Sequence, residues 1–208
     1  MTRRRVVVLD YGSGNLRSAQ RALERTGAEV TVTADLGAAA RCDGLVVPGV
    51  GAYAACMAGI EELAAVPVIT DRVRGQAPVL GICVGMQVLF SAGVEHGLVT
   101  KGIGLVPGMV TRLEAPVVPH MGWNVVDWPA GTVLGADLPP EGRFYFVHSY
   151  AARPSDALAE GGTRVATAVH GTPFAAAIEH GSLTATQFHP EKSGDLGAAL
   201  LQNWIGAL

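Results

Sequence analysis

Three short apolar runs, RVVVLD at 5–10, DGLVVPG at 43–49 and PVLGIC at 78–83, each end in a turn and lead into a segment of helical composition. Strands that are apolar at nearly every position suit a sheet covered on both faces. Strands separated by helices run parallel rather than forming hairpins, with the helices laid over both sides of the sheet. In such open sheets the functional loops gather at the carboxyl ends of the strands. The first half of the chain therefore predicts an α/β fold with a mostly parallel open sheet. LRSAQRALERTG at 16–27 reads as a helix stopped by Gly27, AEVTVTA at 28–34 as a further strand, AYAACMAGIEELAA at 52–65 as a second helix and VGMQVLFSAG at 84–93 as a third.

After Lys101 the texture changes to short β-like pieces rich in glycine and proline: GLVPGMVTRLEA, RFYFVHSYAA, RVATAVHG, PFAAAIEHG and LTATQFHPE. These predict hairpins or an antiparallel extension, closed by a last helix over about 195–207. No repeat or long linker divides the chain, so residues 1–208 are expected to form one domain. A net charge of −3 without long runs of like charge offers no general attraction to nucleic acid or to an anionic membrane. The basic start is followed by only four apolar residues before Asp10, too few for a signal-peptide core or a membrane span. Three cysteines lack the paired spacing of a zinc site and the density of a disulfide scaffold, which points to a reducing cytoplasm.

Cys83 sits in Gly-Ile-Cys-Val-Gly, between an apolar run and the start of a helical pattern. An isolated cysteine is usually a small buried apolar residue, and Cys42 and Cys56 read that way. Two glycines flanking a strand–helix junction shift the reading for Cys83, because they allow a sharp turn whose central residue projects outward, as in a nucleophile elbow. The N-terminal end of a helix also favours negative charge there.

A cysteine nucleophile needs a base and a group to orient it. His189, in TATQFHPEKS, follows a β-like run and stands two residues before Glu191. In extended backbone residues two apart share a side, so Glu191 is expected to hold one imidazole nitrogen and leave the other for Cys83. His148, in YFVHSY, competes but has no acid beside it, and reads as structural or interfacial. His120 reads as a surface-loop residue, and His96, His170 and His180 as solvent-exposed histidines of turns. An oxyanion would be met by the backbone N–H of Val84 and by a second donor in Pro-Gly-Val-Gly at 48–51, for which Val50 and Gly51 are the candidates.

With GICVGMQ, PGVGAY and FHPEKS in this order, the chain resembles the class I, or triad, glutamine amidotransferases. DYGSGNLRS, PHMGWN and YFVHSY narrow the resemblance to the glutaminase subunits of imidazole glycerol phosphate synthases. It implies a flavodoxin-like sheet, a Cys83–His189–Glu191 triad acting on glutamine, and substrate contacts at Gln87 and Gly49. It also implies no metal or organic cofactor. The implied partner is a cyclase subunit with a (β/α)8 barrel, met through Asn15, Met121, Trp123 and Lys192. Val84 stands where leucine is common, but its expected role belongs to the backbone. A glutaminase serving pyridoxal phosphate synthase, a noncatalytic regulatory subunit and a cysteine protein resembling DJ-1 are the rival readings.

Overall fold

The computed structural model describes residues 3–155, 158–159 and 161–208. β1 (Arg5–Leu9), β3 (Gly44–Gly49) and β4 (Val79–Cys83) are the three apolar runs, and nearly every residue in them is buried. β2 (Glu29–Thr33) alternates half-buried and exposed residues, as an edge strand should. The main sheet has seven strands in the order β2-β1-β3-β4-β13-β12-β11, where β11 is Arg164–His170, β12 Thr172–His180 and β13 Leu183–Thr186. Pairing is parallel from β2 through β13 and antiparallel from β13 to β11. The result is the flavodoxin-like order with an antiparallel extension.

Helices α1 (Leu16–Glu24), α2 (Leu36–Arg41), α3 (Tyr53–Glu62), α4 (Val66–Arg74) and α6 (Gly194–Gly206) flank the sheet, burying Leu23, Ile60, Ile69 and Trp204 among others. Among the described residues no single helix is long and apolar enough to cross a membrane. Two of the helices, α2 and α4, were not anticipated, although both carry local start signals. Asp35 caps α2 by accepting from Gly37 N and Ala38 N, and Pro67 stands in the first turn of α4. α4 also buries Arg72, at 4% exposure, whose guanidinium donates to the carbonyls of Ala39, Ala40, Cys42, Asp43 and Pro78. One side chain thereby ties α4 to the chain between α2 and β3 and to the entry of β4.

The helix expected over 84–93 is corrected by the structure. Only Val84–Gln87 form a helical turn, α5, and the chain then becomes β5 (Phe90–Glu95). The carbonyls of Val88, Leu89, Phe90 and Ser91 accept from the N–H groups of Ile103, Leu105, Val106, Gly104 and Gly102, a segment distant in sequence. Residues 88–90 are all fully buried, so their hydrophobicity has no period to separate helix from strand.

β5 belongs to a second sheet in the order β10-β7-β5-β6, with β6 Leu98–Lys101, β7 Val106–Arg112 and β10 Tyr150–Ala152. A two-stranded ribbon pairs β8 (His120–Val125) with β9 (Arg143–His148).

Candidate active site

Three neighbouring strands deliver the site. Gly49 at the end of β3 lies opposite Cys83 at the end of β4, and Ile82 lies opposite Thr186 of β13, so the residues just past Thr186 emerge beside the cysteine. Cys83 has φ 56° and ψ −114°, a left-handed backbone that a non-glycine residue adopts only when its surroundings hold it there. The flanking contacts explain how. A Cβ on Gly85 would stand 1.9 Å from Val47 O, and one on Gly49 would stand 2.5 Å from Gly85 N. The elbow thus packs backbone on backbone, which presents Cys83, 3% exposed, toward the cavity.

That cavity holds about 320 Å³ and is lined by Cys83, Val84, Gln87, His189, Val50 and Gly51, with Lys192 at its edge. Facing them are Glu95 and the backbone run Val147–Tyr150. His189 is almost fully buried, and its Nδ1 is 2.7 Å from Glu191 Oε1. The acid was expected to reach the histidine along extended backbone. Instead Pro190–Lys192 form a single 3-10 turn, pinned by Ser193, whose hydroxyl donates to His189 O and accepts from Tyr145 N. Proline in the first turn favours that bend. Burial alone would keep His189 neutral, but its interactions with Cys83 and Glu191 outweigh burial and raise it to about 9. Glu191 Oε2 is buried without a hydrogen-bond partner among the described residues, beside a cavity of about 10 Å³ lined in part by Asn15.

The Gly-Val-Gly turn lines the same cavity, with the Val50 backbone engaged by Ser13 and Cys56. Val50 N donates to Ser13 Oγ at 3.5 Å, while Val50 O accepts from Ser13 Oγ at 2.9 Å and from Cys56 Sγ at 3.4 Å. Burial pushes the Cys56 thiol up, which keeps its proton for that bond. A planar trans peptide then aims Gly51 N–H away from Ser13 and Cys56. Val84 opens α5, so its N–H has no carbonyl four residues back to meet it.

This arrangement sits in a fold with known relatives. The family model for class-I glutamine amidotransferases matches residues 7–207. The chain is 61% identical over 212 residues to the imidazole glycerol phosphate synthase subunit HisH of Mycobacterium bovis, covering all of both chains. The chain belongs to the HisH family of class-I glutamine amidotransferases. It is also 58% identical to the HisH subunit of Nocardia farcinica, again over the whole of both chains. A solved structure described as a glutamine amidotransferase superposes with a TM-score of 0.73 at 20% identity, covering 97% of this chain and 99% of that one. PurLQS from Thermotoga maritima gives 0.73 at 18% identity, covering 99% of each. The last two likenesses are of fold.

Against this HisH-type fold, Met121 and Trp123 of β8 stand 64% and 51% exposed, and Lys192 and Asn15 are exposed too. Two residues that sequence reasoning missed also contribute to the site. Gln187 Nε2 approaches Cys83 Sγ at 3.8 Å, and its Oε1 accepts from Gln87 Nε2 at 2.9 Å. Gln187 stands one residue past the end of β13, in a bend that leads to His189. Glu95 lines the cavity and accepts from Tyr53 N, and it ends β5, a strand whose first residues were misread as helix.

Three histidine readings are corrected. His120 is buried in β8, hydrogen bonded through Nδ1 to His148 Nε2 at 3.0 Å and stacked on His170 with ring centroids 4.3 Å apart. His170 ends β11 and His180 ends β12, both half-buried, and His180 bonds Thr163. Glycine next to a histidine marked the strand end in both cases, and the aromatic neighbours supplied by other strands were invisible locally.

Burial holds His120 at about 4 and His148 at about 3, below the ordinary 6.5. The unfolded chain binds a proton at each near pH 6.5, whereas the fold resists it, so their contribution to stability is complete above 6.5 and is lost as pH falls toward 4 and 3. His189, raised in the fold, behaves oppositely: its contribution is complete below 6.5 and is lost as pH rises through about 9. Thermal melts are therefore expected to show a steep loss of stability between pH 6.5 and 4, flattened in His120→Phe. An unchanged slope in that variant would contradict the assignment.

Proposed function

We infer that this chain hydrolyses glutamine to glutamate and ammonia and supplies the ammonia to a cyclase subunit, as the glutaminase half of an imidazole glycerol phosphate synthase in histidine biosynthesis. The observation that carries the reading is a buried cysteine on a strained elbow sharing one cavity with a histidine that a buried glutamate holds at 2.7 Å. Full-length identity of about 60% to HisH subunits supports the choice of reaction.

Cys83 thiolate adds to the side-chain amide carbon, and the carbon–nitrogen bond breaks as the His189 imidazolium gives its proton to the leaving ammonia. Water then attacks the thioester, losing a proton to His189, and glutamate departs as the carbon–sulfur bond breaks. Glu191 orients His189 and stabilises its charged form. Gln87 and Gly49 contact the substrate, and the Glu95 carboxylate suits its α-ammonium group. No metal or cofactor takes part.

Val84 N–H is one oxyanion donor. The second, Val50 N–H, is occupied by Ser13, so the Gly49–Val50 peptide must rotate before the hole is complete; Gly51 N–H is the alternative donor. Partner docking drives that rotation and limits wasteful hydrolysis. The partner is a cyclase with a (β/α)8 barrel, forming a heterodimer in the cytoplasm through Asn15, Met121, Trp123 and Lys192. Its interior conducts ammonia to a phosphoribulosyl formimino carboxamide ribotide, giving imidazole glycerol phosphate and an aminoimidazole carboxamide ribotide.

The test is glutamate release by the purified chain alone and with the cyclase plus its ribotide ligand. The rate is expected to be low alone and at least about tenfold higher in the loaded complex, the equivalent of one good hydrogen bond at the transition state. Ser13→Ala should raise the partner-free rate. A verified complex that released no glutamate would end the reading.

A further inference from the structure

His148 plays no part in the triad, yet it is buried at the wall of the glutamine cavity and sits inside a chain of hydrogen bonds that permits one assignment of protons. Its Nδ1 is 3.0 Å from Tyr150 O, and a carbonyl only accepts, so Nδ1 carries the hydrogen. In the neutral ring Nε2 must then accept, and the donor is His120 Nδ1 at 3.0 Å. His120 Nε2 accepts in turn from Asn124 Nδ2 at 3.3 Å. The Asn124 amide is itself oriented, since Nδ2 also donates to Val169 O at 2.9 Å and Oδ1 accepts from Val125 N at 2.9 Å. Stacking of His120 between Phe146 and His170 fixes its ring plane.

At the other end, Tyr150 O also accepts from Gln87 Nε2 at 2.9 Å. The second proton of that nitrogen goes to Gln187 Oε1, whose own amide reaches toward Cys83. Both donors of Gln87 are thus committed, which leaves its Oε1 as the acceptor available to a ligand N–H. The carbonyl of Tyr150 is the joint between the histidine pair and the groups around the nucleophile.

We propose that His148, supported by His120, is a positioning residue for glutamine: it fixes the 148–150 wall of the cavity and, through the Tyr150 carbonyl, the orientation of Gln87. The proposal rests on the glutaminase reading above. Loss of the imidazole leaves Cys83, His189 and Glu191 untouched but frees the wall and the amide, so it raises the glutamine KM and spares kcat.

The experiment uses the complex with the cyclase subunit and its ribotide ligand, in which the wild-type rate is measured first; no glutamate release there refutes the glutaminase reading and not this one. His148→Phe is expected to raise KM about tenfold, with kcat changed less than about threefold, the effect of one buried hydrogen bond. His148→Asn, whose side-chain nitrogen matches the place of Nδ1, should bring KM back to within about threefold of wild type. Should His148→Phe fail to fold, His120→Phe takes its place and is expected to raise KM while His148→Asn does not. In the wild-type chain, imidazole nitrogen NMR should show His148 protonated at Nδ1 and not at Nε2. An Nε2–H tautomer, an unchanged KM in the phenylalanine variants, or a fall in kcat alone would overturn the proposal.

Discussion

Cys83→Ala is expected to lower glutamate release by the activated complex on the order of 10⁴-fold or more, because nothing else in the cavity replaces a thiolate nucleophile. The fold should survive the change. Alanine keeps the Cβ that the elbow already accommodates at φ 56°, and the removed sulfur gives up only its interactions with His189 and the distant Gln187 amide. Unaltered melting and unaltered association with the cyclase are therefore part of the expected result. Ammonium salt added in excess bypasses the missing step, so the mutant complex should still make imidazole glycerol phosphate from it. Residual glutamate release above about a hundredth of wild type would mean that another group attacks the amide and that the triad is misassigned.

Arg72→Ala is expected to cost about 3–5 kcal/mol of stability, the largest loss from a side chain outside the site. The five carbonyls that accept from the guanidinium belong to the end of α2, the turn into β3 and the residue before β4, and all five lose that donor at once. Lysine does not rescue the position, since a point charge with three donors cannot reproduce a planar fork that meets carbonyls on two sides. Urea unfolding measures this directly. A loss below about 1 kcal/mol would show that the carbonyls find other donors.

The parallel half of the fold was legible because β1, β3 and β4 are buried on both faces, and the runs that encode them are correspondingly uninterrupted. The residues proposed as the triad drew attention for a related reason: Cys83 ends β4 between two glycines, and His189 and Glu191 flank Pro190 just beyond β13. What escaped was set by contacts between distant segments. Residues 88–91 left the helix for a turn and the start of β5 because residues 102–106 supplied donors to their carbonyls, and no local property of the sequence announces that pairing. His120 looked like a loop residue since its aromatic cage comes from β9, β11 and β12. The reading of Val50 N–H as a candidate oxyanion donor could not include Ser13, whose hydroxyl arrives from a turn 37 residues earlier.

The position of β13 carries a consequence for biogenesis. It is inserted between β4 and β12, so Cys83 and His189 are brought together by strands whose contacts span about a hundred residues of chain. During synthesis β1 to β4 leave the ribosome long before β13, and a nascent chain exposes one side of β4 until the last strand arrives. For that interval Cys83 lacks His189, the residue proposed as its base. On the proposed mechanism the enzyme is born inert, and it acquires its chemistry only once the sheet is complete.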